Sequence, residues 1–155
     1  IMLRIKVFLI IIYFVSLNSA FSDVLKPNDT IKPKQVVKIQ LDGLKKNDNS
    51  YKDKGIEQTW EFAHPSNKIF TGPLERFKKM LKGESYKMLL NHKNHKIEEV
   101  YSEENLVVFE VMVVDNEKKY YKFRWQVEKY LDTGPLENCW LTTMVSAPIP
   151  LGSSI

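Results

Sequence analysis

The chain has 155 residues, the size of one domain around one core, and its apolar fraction of 43% with three tryptophans excludes a disordered polypeptide. Of 23 basic residues, Arg4 and Lys6 stand in an N-terminal segment without acids; leaving that segment out lowers the net charge from +4 to +2. The remaining basic residues alternate with acids rather than forming a stripe, so nucleic acid is not an expected partner.

Arg4 and Lys6 precede an apolar run, residues 7–15, and then a small, polar stretch, residues 16–20. Positive flank, short apolar core and small residues are the layout of a secretory signal peptide, expected over residues 1–22. The run is shorter than the roughly 20 residues of a spanning helix; an uncleaved signal anchor is the alternative. Cleavage after Ser22 uses Ala20 and Ser22 as the small pair, whereas cleavage after Ala20 exposes Phe21. Ile1 ahead of Met2 is read as a fragment edge or cloning remnant, with Met2 the initiator. Ser19-Ala20-Phe21 resembles the bipartite leaders of complex algal plastids. The expected address is therefore the secretory pathway, secreted or lumenal, with an algal complex plastid as the alternative and no stable membrane insertion once the leader is removed.

Residues 23–32 read as an extended linker, because Lys26-Pro27 and Lys32-Pro33 disfavour helix before each proline. The single domain is expected over residues 33–147. Pro33 opens a helix at its first position, and Val37, Leu41 and Leu44 form one apolar stripe. A second helix is predicted over residues 55–62, with Ile56 and Trp60 inward. His64-Pro65 stops it, leaving a loop. Gly72-Pro73 starts a third helix whose apolar side is Leu74, Phe77, Met80 and Leu81, and Gly83 ends it.

From Tyr86 the period changes to two. Residues 86–90 and 96–101 are candidate strands, and residues 107–114 are almost wholly apolar, as in a central strand. After a turn at Asp115-Asn116, Tyr121, Phe123, Trp125 and Val127 face one way and Tyr120, Lys122, Arg124 and Gln126 the other. Residues 139–145 form the last expected strand and residues 148–155 a tail. Helices followed by antiparallel strands predict an α+β fold, with N-terminal helices packed on a curved antiparallel sheet.

That order resembles the nuclear-transport-factor-two-like cone. Pro33-Lys34-Gln35-Val36-Val37, Gln40-Leu41, Asn47-Asp48, Gly55-Ile56, Phe62-Ala63-His64-Pro65-Ser66-Asn67, Thr71-Gly72-Pro73-Leu74-Glu75-Arg76-Phe77 and Cys139-Trp140-Leu141-Thr142 are similar to an uncharacterised plant, algal and bacterial family, domain of unknown function 4864. The likeness covers about residues 33–145; it implies a cone and no established reaction.

Two functional readings follow. In a cone, isomerase chemistry needs an enclosed carboxylate base and dehydratase chemistry an enclosed histidine. Glu110, which interrupts the apolar central strand, is the candidate base; the alternative is an outward partner of Lys122 or Arg124. His64 is the candidate imidazole, although the similar family often carries serine there. His92 and His95 fall in a Lys/Asn-rich turn and are expected in solvent. Trp60, Tyr86 and Trp125 are candidate walls of an apolar ligand pocket, with Asn67 and Arg76 as polar contacts; the same aromatics could instead fill the core. The lone Cys139 rules out an intrachain disulfide and a cysteine zinc site, and no metal or cofactor is expected. The preferred expectation is a non-enzymatic cone module that binds a small apolar ligand, or a protein partner, with homodimerisation through the sheet face. The alternative is a small lyase or isomerase using Glu110 or His64.

Overall fold

A computed structural model describes residues 24–153. The signal peptide expected over residues 1–22 lies outside the described residues. Among those described, no helix is long and apolar enough to cross a membrane.

Helix α1 (Pro33–Lys45) has proline at its first position, and Gln35 reaches back to accept the Lys32 N–H at 2.8 Å. Its buried stripe is Val36, Val37, Gln40, Leu41 and Leu44. Helix α2 (Lys54–Glu61) crosses α1 at two glycines, and a Cβ added to Gly55 would stand 2.1 Å from the Gly43 carbonyl oxygen. Asn47 locks the crossing: its carbonyl accepts the Gly55 N–H at 2.9 Å and its side chain accepts the Ile56 N–H at 3.0 Å. The expected linker is tied to this pair, since Leu25 exchanges two hydrogen bonds with the Gln58 amide, at 2.7 and 3.0 Å.

Residues 65–71, expected as a loop, form a short helix, α3 (Pro65–Thr71). Pro65 ends α2 but occupies the first position of α3, and the His64 ring accepts the Ser66 N–H at 3.0 Å as its cap. None of its residues is buried, so no apolar period marks it in the sequence. Helix α4 (Leu74–Lys82) follows, burying Phe77 and Leu81.

The strand expected over residues 86–90 is instead one 3-10 turn, Lys87–Leu89. The Gly83 carbonyl accepts the N–H groups of both Tyr86 and Lys87, so the backbone keeps coiling after α4. The sheet then runs β1 (Asn94–Ser102), β2 (Leu106–Val114), β3 (Lys119–Lys129) and β4 (Trp140–Val145) in that order, all antiparallel. The expected tail also pairs. β5 (Ile149–Ser153) bonds to the first half of β3, while β4 occupies the second half. An eleven-residue strand has room for both, which its apolar period alone does not reveal.

The fold is α+β: helices packed against one face of a five-stranded, curved antiparallel sheet, an arrangement consistent with a cone. Val107, Phe109, Val111 and Val113 of β2 join Phe123, Trp125 and Val127 of β3 in the core beneath the helices. The opposite face carries the Glu98–Glu110–Arg124 row and the Lys96–Met112–Lys122 row.

The glycine crossing gives a direct test. Gly55→Ala forces backbone against backbone and is expected to cost about 2–3 kcal/mol in urea unfolding. Gly43→Ala meets Gln58 side-chain carbon at 3.3 Å and gains helix propensity, so it is expected to stay within about 1 kcal/mol of the parent.

Candidate functional site

Helices and sheet enclose a partly open cavity of about 100 Å³. Its apolar walls come from α1 (Leu44), α4 (Phe77, Met80, Leu81), the 3-10 turn (Leu89) and the sheet (Trp125, Val145). Its polar atoms come from Gln40, Thr59, Asn67, Thr71, Tyr86 and Thr142.

One buried node organises the floor. The Gln40 side-chain oxygen accepts from Trp125 Nε1 at 2.9 Å and from the Thr142 hydroxyl at 2.6 Å, while its nitrogen donates to the Thr59 carbonyl at 3.0 Å. Gln40 and Thr142 are absent from the sequence-derived candidates. The signal for Gln40 was present: an amide in the stripe Val36, Gln40, Leu44 must have a buried partner. The opposite wall is α3. Asn67 donates to the Thr143 carbonyl at 3.1 Å, and the Thr71 hydroxyl donates to the Asn67 side-chain oxygen at 3.0 Å. The Tyr86 hydroxyl donates to the Val145 carbonyl at 3.3 Å, and burial pushes its pKa up.

Three of the five predicted ligand contacts, Asn67, Tyr86 and Trp125, therefore meet at this cavity. The other two do not. Trp60 packs against Phe77 at 5.1 Å and under the Lys68 ammonium at 4.9 Å. Arg76 is exposed on α4.

The two candidate acid–base groups lie elsewhere. Glu110 is on the outer face, opposite Arg124, with its carboxylate 3.2 Å from the Lys122 ammonium. His64 is half-buried, its Nδ1 at 3.0 Å from the Ser66 N–H and 2.7 Å from the Ser66 hydroxyl, and its ring packs against Tyr130 at 5.5 Å. Burial lowers its pKa, opposed by Glu128 and Asp132.

His92 and His95, expected in solvent, are instead drawn into the protein. His92 is 3% exposed, with Nδ1 at 2.7 Å from the Leu89 carbonyl and Nε2 at 2.7 Å from His95 Nδ1. A carbonyl only accepts, so His92 carries its hydrogen on Nδ1 and receives one from His95. His95 Nε2 then faces the Asp42 carboxylate at 3.5 Å. The Lys/Asn composition of this turn hid the contact with α1. Burial pushes the His92 pKa down to about 4, helped by His95 and Lys45 and opposed by its bond to Leu89 and by Asp42. Burial also lowers that of His95, against the pull of Asp42. Among the described residues, no group of three or more His, Cys, Asp or Glu side chains stands close enough to hold a metal ion.

Residues 26–141 match the family model described as Domain of unknown function (DUF4864). The chain belongs to this family. No curated protein and no solved structure matches it. The family match spans α1 to the start of β4 and so includes every lining residue of the cavity except Thr142 and Val145.

The histidine pair predicts an acid-sensitive fold. The folded-state pKa of His92 is depressed, so between its value near 4 and the ordinary 6.5 the unfolded chain binds more protons. Stability is full above pH 6.5 and lost as pH falls toward 4, by on the order of 3 kcal/mol. Urea unfolding at pH 7, 5.5 and 4 should show this slope, and His92→Gln should flatten it.

Proposed function

We propose that this family member is a non-enzymatic cone module, of the nuclear-transport-factor-two-like kind, that holds a small, largely apolar molecule in the cavity between α3, α4 and the sheet. The observation that carries the reading is the composition of the walls. They are mostly apolar with a few convergent neutral polar groups, the usual make-up of a small-molecule site. Among the described residues, the lining includes no carboxylate, imidazole, amine or thiol. The lyase or isomerase alternative needs Glu110 or His64 in the enclosed space. Glu110 is engaged with Lys122 outside, and His64 caps a helix.

A second reading rests on the outer sheet face. Met112 and Met144 are 36% and 41% exposed there, among rows of both charge signs. Mixed charge with exposed apolar side chains suits a self-complementary contact between two copies of the chain. On sequence pattern alone, we also propose that residues 1–22 direct the chain into the secretory pathway, with an algal plastid as the alternative destination.

Native mass spectrometry of gently purified protein tests the main reading. A retained small molecule is expected, and Glu110→Gln and His64→Ala should both keep it. Bare protein at every collision energy contradicts the reading, as does loss of the molecule in Glu110→Gln. The same spectra should show a dimer if the outer face pairs two copies.

A further inference from the structure

Resting on that reading of the cavity, we infer that its ligand presents an uncharged carbonyl oxygen to Gln40 and Asn67. A primary amide has two N–H hydrogens. The Gln40 nitrogen donates to the Thr59 carbonyl and makes no second hydrogen bond among the described residues. Half-buried Asn67 also has one hydrogen to spare: among the described residues its nitrogen donates to the Thr143 carbonyl alone. Both residues line the cavity, one on α1 and one on α3.

The acceptor side is different. The Gln40 oxygen already receives two hydrogens, from Trp125 and Thr142, and the Thr71 and Tyr86 hydroxyls have given theirs to Asn67 and to the Val145 carbonyl. Their remaining lone pairs are less costly to leave unmatched than an enclosed N–H. The cavity therefore lacks an acceptor more than a donor. A carbonyl oxygen, with two lone pairs and no hydrogen, is the complement to two amide N–H groups.

Charge and size narrow the class. Among the described residues no cationic side chain lines the cavity, so a carboxylate would lose its hydration with no counter-charge in return. An apolar cavity of about 150 Å³ holds benzene, so one of about 100 Å³ encloses roughly three to five non-hydrogen atoms of a ligand. Ketones, aldehydes and simple amides fit; carboxylic acids and amines at neutral pH do not.

The test uses three molecules of one shape: acetone, its hydrocarbon counterpart isobutene, and acetate. They are titrated into the ¹⁵N-labelled protein while the side-chain NH₂ signals of Gln40 and Asn67 are followed by NMR. Acetone is expected to shift both NH₂ pairs and to bind about tenfold more tightly than either of the others. Asn67→Leu is expected to weaken acetone about fivefold and leave isobutene unchanged. Because α3 buries none of its residues, the variant should fold; if it does not, the comparison in the parent protein still decides. Isobutene or acetate binding as well as acetone overturns the carbonyl assignment and leaves the cavity reading standing. Failure of both acetone and isobutene to bind overturns both.

Discussion

The amide of Gln40 is the point on which the interior depends. It bonds at once to α2 through Thr59, to β3 through Trp125 and to β4 through Thr142, so one side chain of α1 fixes three other elements. An apolar residue there would take the acceptor from the Thr142 hydroxyl and the side-chain donor from the Thr59 carbonyl, at about 1–3 kcal/mol for each buried group left unpaired, and leave the Trp125 N–H only the Thr142 hydroxyl at 3.2 Å. The same bonds hold the Trp125 ring by its nitrogen. Phe77 and Leu81 then meet a fixed surface rather than an apolar side chain free to repack, and a hollow persists where a small domain would otherwise close.

The sheet separates this interior from a different chemistry outside. Period-two alternation sends Phe109, Val111, Phe123 and Trp125 under the helices, and sends Glu110, Lys122 and Arg124 the other way. A one-residue change in register would exchange the two sets. Glu110 is therefore an outward residue by the same rule that makes its neighbours core. Its pairing with Lys122, partly exposed, contributes little stability. The interior keeps its charge-free character because the charges have a face of their own.

Much of this was legible in the sequence, for identifiable reasons. The stripes of α1 and α4 and the alternation of β3 carry strong periods, and Pro33 and Pro73 mark helix starts. What escaped was structure without a period. Helix α3 buries nothing, the 3-10 turn continues a bend begun at Gly83, and β5 depends on a partner strand about thirty residues upstream. The site was half legible by the same logic. Aromatic Tyr86 and Trp125 stand out in a sequence, whereas Gln40 gains its meaning only when Trp125, 85 positions away, is brought beside it. His92 and His95 look solvated from local composition, which says nothing about Asp42, carried to them by α1.

The Gln40 node holds a hollow above Trp125. A crystal structure of the protein under xenon pressure measures this most directly. A xenon atom bounded by Trp125, Phe77 and Tyr86 is expected, with the Gln40–Trp125 hydrogen bond intact. A xenon-free interior with Phe77 or Met80 filling that space would contradict it.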